Sequence, residues 1–219
     1  MTVIISQMPM MEIEAKFLGV NRHRIGRDGD GVTTLAAFYG CPLRCRHCLN
    51  PHCFESNYKC RVLTPETLLA EVMIDDLYFQ ATGGGITFGG GEPCLQSRFI
   101  EEFRRISNPV WNINIETSLY VATEHIERVA GFVNQFIIDI KDMDESVYKA
   151  YTSVDNEHVL ENLRYLSRLG FQDKCRIRLP LIPDYNAQCN IENSKNILAG
   201  MGFFDFDVFE YRRRGKAAR

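Results

Sequence analysis

Thr33-Thr34-Leu35-Ala36-Ala37-Phe38-Tyr39-Gly40-Cys41-Pro42-Leu43-Arg44-Cys45-Arg46-His47-Cys48-Leu49-Asn50 is the stretch whose reading decides the fold. Its first seven residues are β-branched, aliphatic or aromatic and read as a buried strand. The strand runs directly into three cysteines spaced C-x3-C-x2-C. A cubane of four irons and four sulfides wants one ligand per iron, so three thiolates on one loop leave one iron open to an outside molecule. Structural metal sites are closed, and an open position implies chemistry. The spacing alone leaves two other readings: a structural zinc site completed by Cys53 or Cys60, and ordinary buried or disulfide-bonded thiols.

Downstream, strand-like runs alternate with longer helical patterns, the signature of stacked βα units and a mainly parallel sheet. The strands expected are Thr33–Tyr39, Gly85–Phe88, Trp111–Glu116, Gln135–Asp139, Cys175–Pro180 and Phe204–Phe209. Thr64-Pro65-Glu66-Thr67 opens the first helix with a capping threonine, a proline at the first helical position and an acidic residue at the positive end. Its apolar face follows at Leu68, Leu69, Val72 and Met73. Gln96–Ile106, Thr123–Ala130, Glu157–Leu169 and Ile191–Met201 supply the later helices, and Gly170 stands where a left-handed C-cap would sit. Six such units fit an α/β fold that is part of a barrel, a (β/α)6 TIM-like arrangement, with a doubly wound open sheet as the competitor. The motifs favour the barrel, because each follows the C-terminal end of a strand, where barrel active sites gather.

The 219 residues suit one domain, divided into a lead-in segment 1–32, the barrel 33–210 and a tail 211–219. A net charge of -3 and 24% charged residues give no basic surface for nucleic acid, and no run approaches the ~18 apolar residues of a membrane span. Thr2–Met8 is short and lacks the basic start of a signal peptide, so a cytoplasmic location is expected, with the eight cysteines reduced rather than paired. Cys94, Cys175 and Cys189 read as packing residues.

Gly83-Gly84-Gly85-Ile86-Thr87-Phe88-Gly89-Gly90-Gly91-Glu92-Pro93 places glycines on both sides of a short strand, where they read as a flexible turn or as bare backbone that a ligand can approach. It is not the G-x-G-x-x-G of a dinucleotide fold. Taken with the cysteine loop, this Gly-Gly-Glu turn resembles the radical S-adenosylmethionine superfamily. That resemblance implies that Cys41, Cys45 and Cys48 hold a [4Fe-4S] cluster as catalytic and metal-binding residues. The open iron would take the amino and carboxylate groups of S-adenosylmethionine, with Gly90, Gly91 and Glu92 about the methionyl amine.

Further motifs resemble the glycyl-radical-enzyme activating enzymes within that superfamily: Asp28-Gly29-Asp30-Gly31 ahead of the first strand, Asn50 after the cysteine loop, Asp139-Ile140-Lys141, Ser153-Val154-Asp155-Asn156, and Arg178-Leu179-Pro180-Leu181-Ile182-Pro183. The resemblance implies that a glycine Cα of a partner glycyl radical enzyme is the hydrogen donor and that a low-potential donor such as flavodoxin or ferredoxin supplies electrons. It also implies cofactor contacts from His47 near the adenine, from Leu49, Asn50, Lys141 and Arg178, and a monovalent cation held by Glu116, Thr117 and Asp139. Read without the resemblance, these charges are solvated strand ends, and His47 is open to a role as a metal ligand.

Three departures stand out. Glu116 replaces a usual aspartate, Arg212 stands where relatives carry a cofactor-contacting histidine, and the chain stops at Arg219. Residues 49–89 leave no room for an insert with extra clusters, so one cluster is expected. A radical enzyme acting on a small molecule and a zinc-stapled binding module are the rival readings. The barrel's open side and Asp28–Gly31 are the expected docking surface for the partner.

Overall fold

The structure, a computed structural model, describes residues 13–211. One eight-stranded sheet runs through the described residues in the order β3-β1-β2-β4-β5-β6-β7-β8. Six strands are parallel: β2 (Val32–Phe38), β4 (Gly85–Gly90), β5 (Asn112–Thr117), β6 (Gln135–Asp139), β7 (Cys175–Leu181) and β8 (Phe206–Glu210). They match the six strands expected, each end within two residues. The sheet is open, with β3 and β8 at its edges, as a partial barrel requires.

Two strands were not anticipated. β1 (Ala15–Ile25) pairs antiparallel with β2, and β3 (Arg61–Leu63) pairs antiparallel with β1. Only the start of β1 buries an apolar pair, Ala15 and Phe17. Its second half carries Arg22, His23 and Arg24, and its register shifts between Asn21 and Arg24, so no period-two pattern survives.

The helices are α1 (Pro65–Val72), α2 (Asp76–Thr82), α3 (Ser97–Ile106), α4 (Thr123–Ala130), α5 (Glu145–Thr152), α6 (Glu157–Arg168) and α7 (Gln188–Gly200). At α1 the Thr64 hydroxyl accepts from the Thr67 N–H at 3.2 Å while the Thr67 hydroxyl accepts from the Thr64 N–H at 2.8 Å, a reciprocal cap. Gly170 has φ +71°, the left-handed geometry expected after α6.

Register decides which face of the sheet does what, because cross-strand partners share a face. Ile86, Ile113 and Ile115, Phe136 and Ile138, and Ile177 and Leu179 are all buried under the helices. There Phe38 packs on Phe17, Phe88 and Phe99, with ring centroids at 4.4, 5.6 and 5.5 Å. Each such ring contributes about 1.5–3 kcal/mol by burial, and each aromatic pair about 0.5–1.5 kcal/mol more.

The opposite face carries Thr87, Asn114, Gln135, Glu116, Asp139, Arg178 and Asp207 in register, with Leu35 and Ile137 as its apolar members. A closed eight-stranded barrel fills this space with branched apolar side chains. Here it is a polar lumen.

Candidate active site

Gly40, at φ +96°, turns the chain out of β2 and into the cysteine loop. The loop is held from three sides. Leu43 is buried beneath it. The N–H groups of Arg44 and Arg46 donate to Thr152 O and Tyr151 O, at 2.9 and 3.1 Å, on the last turn of α5. The Arg44 guanidinium returns to Cys41 O at 2.7 Å and lies 4.4 Å from the centre of the Phe54 ring.

The loop is then laced to the glycine turn after β4. Gly91 N–H donates to Phe38 O and Glu92 N–H to Gly40 O, both at 2.9 Å, and the Asn50 amide donates to Gly90 O at 2.7 Å. A Cβ at Gly91 would lie 2.0 Å from Gly40 O and 3.2 Å from Cys53 Sγ, so only glycine permits this approach. Gly90 itself has φ +94°.

Glu92 is 1% exposed and its carboxylate is fully engaged. Oε1 accepts from Cys94 N–H at 3.1 Å and from the Thr117 hydroxyl at 2.7 Å; Oε2 accepts from Ser118 N–H at 2.9 Å and the Ser118 hydroxyl at 2.6 Å. The sequence grouped Glu92 with the cofactor contacts. The structure assigns its carboxylate to fixing the turn, which leaves the turn's main chain to meet a ligand.

Cys41, Cys45 and Cys48 are half-buried, and all eight cysteines are free of disulfides. Burial pushes the Cys41 and Cys45 thiols up, the latter opposed by Lys141. Cys53 is buried close by, under the glycine turn, and its thiol is likewise raised by burial. Among the described residues no three His, Cys, Asp or Glu side chains are gathered closely enough to share one metal ion.

His47 stands in a ring of tyrosines, with centroids 6.0 Å from Tyr151, 5.8 Å from Tyr185 and 6.2 Å from Tyr211. The Tyr211 hydroxyl donates to the His47 carbonyl. His47 Nε2 is buried and without a protein partner, an unmet polar atom beside the cysteines. Leu49, grouped with the cofactor contacts, is 55% exposed. Arg212 lies outside the described residues.

Below the loop, four charges share the lumen. Arg178 donates to Asp139 through Nε at 2.7 Å and NH2 at 3.2 Å, and through NH1 to Glu116 at 2.6 Å. Lys141 Nζ lies 3.4 Å from Asp139. Burial would raise the Asp139 carboxyl, but Lys141 and Arg178 outweigh it and hold it below the usual carboxylate range. Burial raises the Glu116 carboxyl against the pull of Arg178. Lys141 is raised despite burial, by Asp139 and Cys45.

The cation trio read from the sequence is not brought together. Glu116 and Asp139 share a guanidinium, and Thr117, on the other face of β5, gives its hydroxyl to Glu92.

The floor of the lumen is Asp28–Gly31. Asp28 is 2% exposed, pairs with Arg24, and accepts on its main-chain oxygen from the Thr87 hydroxyl and, at 3.3 Å, from the Asn114 amide. This corrects the docking expectation for Asp28, whose side chain is sealed inside; Asp30 is exposed. The tyrosines, Ser118 and Arg24 were missed. The alternation Asn112-Ile113-Asn114-Ile115-Glu116 was the available signal for a polar lumen.

The family model described as "Radical SAM superfamily" matches residues 36–192. The (2S)-3-sulfopropanediol dehydratase activating enzyme of Klebsiella oxytoca is 27% identical, over 78% of this chain and 73% of its own. The pyruvate formate-lyase-activating enzyme of Staphylococcus epidermidis is 29% identical, over 86% of this chain and 78% of its own. Among solved structures, Streptococcus suis SuiB bound to S-adenosylmethionine superposes with a TM-score of 0.62 at 14% identity, over 83% of this chain and 43% of that one. The chain thus spans well under half of SuiB, and the likeness is one of fold.

Proposed function

The chain belongs to the radical SAM superfamily, and from that premise we propose that it activates a glycyl radical enzyme by taking a hydrogen atom from a glycine Cα of that partner. Bound there, a [4Fe-4S] cluster supplies the electron that cleaves S-adenosylmethionine to methionine and a 5′-deoxyadenosyl radical, the species that abstracts the hydrogen.

The donor set fits that cluster. Three free thiols stand on one ten-residue loop, none bridged, laced by hydrogen bonds to the glycine turn. Three thiols are one short of a closed structural zinc site and match a cube with one ligand per iron and one iron left open. Cys41, Cys45 and Cys48 would hold the cluster; burial raises the Cys41 and Cys45 thiols, so loading these two ligands as thiolates would release protons. Gly91, and Gly90 through the lone pair that Asn50 leaves, would offer main-chain oxygens to the methionyl amine. Lys141 and Arg178 would face its carboxylate, and His47 with Tyr151, Tyr185 and Tyr211 would border the adenine and keep water out.

The single observation that carries the choice of partner is the polar lumen, floored by Asp28 and lined by Asn114, Glu116, Asp139 and Arg178. A chain segment entering it finds donors and acceptors for its peptide groups, which an apolar barrel core would deny. The named activity of the two relatives, each an activating enzyme, agrees. Eight reduced thiols suit a cytoplasmic setting with a flavodoxin- or ferredoxin-type reductant.

The test is anaerobic reconstitution with iron and sulfide, reduction, and incubation with S-adenosylmethionine and each candidate partner. Formation of 5′-deoxyadenosine together with a glycyl doublet in electron paramagnetic resonance is expected with one partner. Cleavage without a protein radical on any partner would move the reading to a small-molecule substrate.

A further inference from the structure

We infer that Arg178 is a built-in counter-ion which takes the place of a monovalent cation, so that this chain binds S-adenosylmethionine without one. The inference rests on the cofactor reading above and deepens it.

Arg178 and Asp139 are direct register partners on neighbouring parallel strands, so their side chains leave the sheet on the same side. The guanidinium takes Asp139 with a two-pronged grip, at 2.7 and 3.2 Å, and reaches across to Glu116 at 2.6 Å. That contact uses the extra methylene of Glu116, the residue that stands where an aspartate is usual. Gly89 makes room for it: a Cβ there would lie 2.9 Å from Glu116 Oε2.

The charges balance without help. Two carboxylates, Glu116 and Asp139, face two cations, Arg178 and Lys141. A sodium or potassium ion placed between the carboxylates would have to displace the guanidinium or stand against it as a like charge. The third ligand the ion would need, the Thr117 hydroxyl, leaves the other face of β5, where it donates to Glu92 at 2.7 Å and accepts from Leu119 N–H at 2.9 Å. Of the five N–H donors on an arginine, three are used here, leaving two for a ligand carboxylate beside Lys141.

The test measures binding, not turnover. Anaerobically reconstituted, unreduced protein is equilibrated in potassium, sodium or tetramethylammonium chloride at one ionic strength, and the S-adenosylmethionine dissociation constant is read by equilibrium dialysis. For the natural sequence the three constants are expected to agree within about threefold. The variant Arg178→Met, which empties the place between the carboxylates, is expected to bind at least about fivefold more tightly in potassium or sodium than in tetramethylammonium.

A natural protein whose affinity falls more than about threefold in tetramethylammonium overturns the inference. So does an Arg178→Met protein that loads its cluster and binds equally in all three salts. Should that variant fail to load, the comparison on the natural protein decides alone. Absence of binding in every salt would instead contradict the cofactor reading itself.

Discussion

Gly91 shows how much of the site hangs on single atoms. Its missing Cβ lets the glycine turn lie against Gly40, and Gly91→Ala would force backbone apart at a 2.0 Å contact. We expect this variant to fold, since the turn stands outside the aromatic core, yet to bind S-adenosylmethionine at least ~10-fold more weakly by equilibrium dialysis. Unchanged affinity would remove the turn from the site. Asp75 is the structural counterpart. Fully buried, it accepts from Arg22 at 2.8 and 2.5 Å, from His23 at 3.0 Å and from the Thr34 hydroxyl at 3.0 Å, which ties β1 to the start of α2.

Hydrogen bonding from Arg22 holds the Asp75 carboxyl below its ordinary value. A depressed folded-state value means that its stabilisation is complete above about pH 4 and is lost as pH falls through the folded value. Asp75→Asn should therefore cost about 2–3 kcal/mol at neutral pH and flatten the acid side of the stability curve. An acid limb identical to that of the natural protein would show that another carboxylate governs it. At this scale the cysteines and the Gly-Gly-Glu turn were legible because their chemistry is written in spacing. The engagement of Glu92 by Thr117 and Ser118 was not, since those residues come from a different strand end, about 25 positions away.

Among the elements, α1 was readable to the residue because its cap is local. Thr64→Ala removes the hydroxyl that accepts from Thr67 N–H and should cost about 1 kcal/mol, a drop of about 2–4 °C in Tm by calorimetry, with no effect on cofactor affinity. A loss of affinity would mean that α1 reaches the site. By contrast α2 escaped notice for a physical reason: it buries only Phe79 while Leu77 and Tyr78 are 76% and 51% exposed, so no apolar stripe marks it. Its start is set by tertiary bonds instead, Asp76 accepting from Trp111 at 2.7 Å and from Asn108 at 3.1 Å. α5 had a readable start in Asp144, whose carboxylate accepts from Ser146 and Val147 N–H at 2.8 and 3.1 Å. Its importance was not readable, because its last-turn carbonyls do their work on Arg44 and Arg46, a hundred residues earlier in the chain.

At the scale of the whole molecule, the sheet has one dry face and one wet one. Apolar residues in alternate positions of β4 to β7 pack under helices, and their neighbours build a charged lumen whose ceiling is the cysteine loop and whose floor is Asp28. The parallel order and the placement of motifs at strand ends were legible from βα alternation. The polar lumen stayed hidden because the strands were recognised by their β-branched and aromatic content, not by which face each residue takes, although Asn112 to Glu116 and Arg176 to Arg178 alternate plainly. The central claim is that this ceiling holds an iron–sulfur cube with one iron left open for S-adenosylmethionine. Electron–nuclear double resonance on the reduced, reconstituted protein with 15N-amino and 17O-carboxylate S-adenosylmethionine tests it most directly. Couplings from both labels are the predicted result. A reduced cluster whose spectrum ignores the added compound, with neither coupling present, would contradict the account.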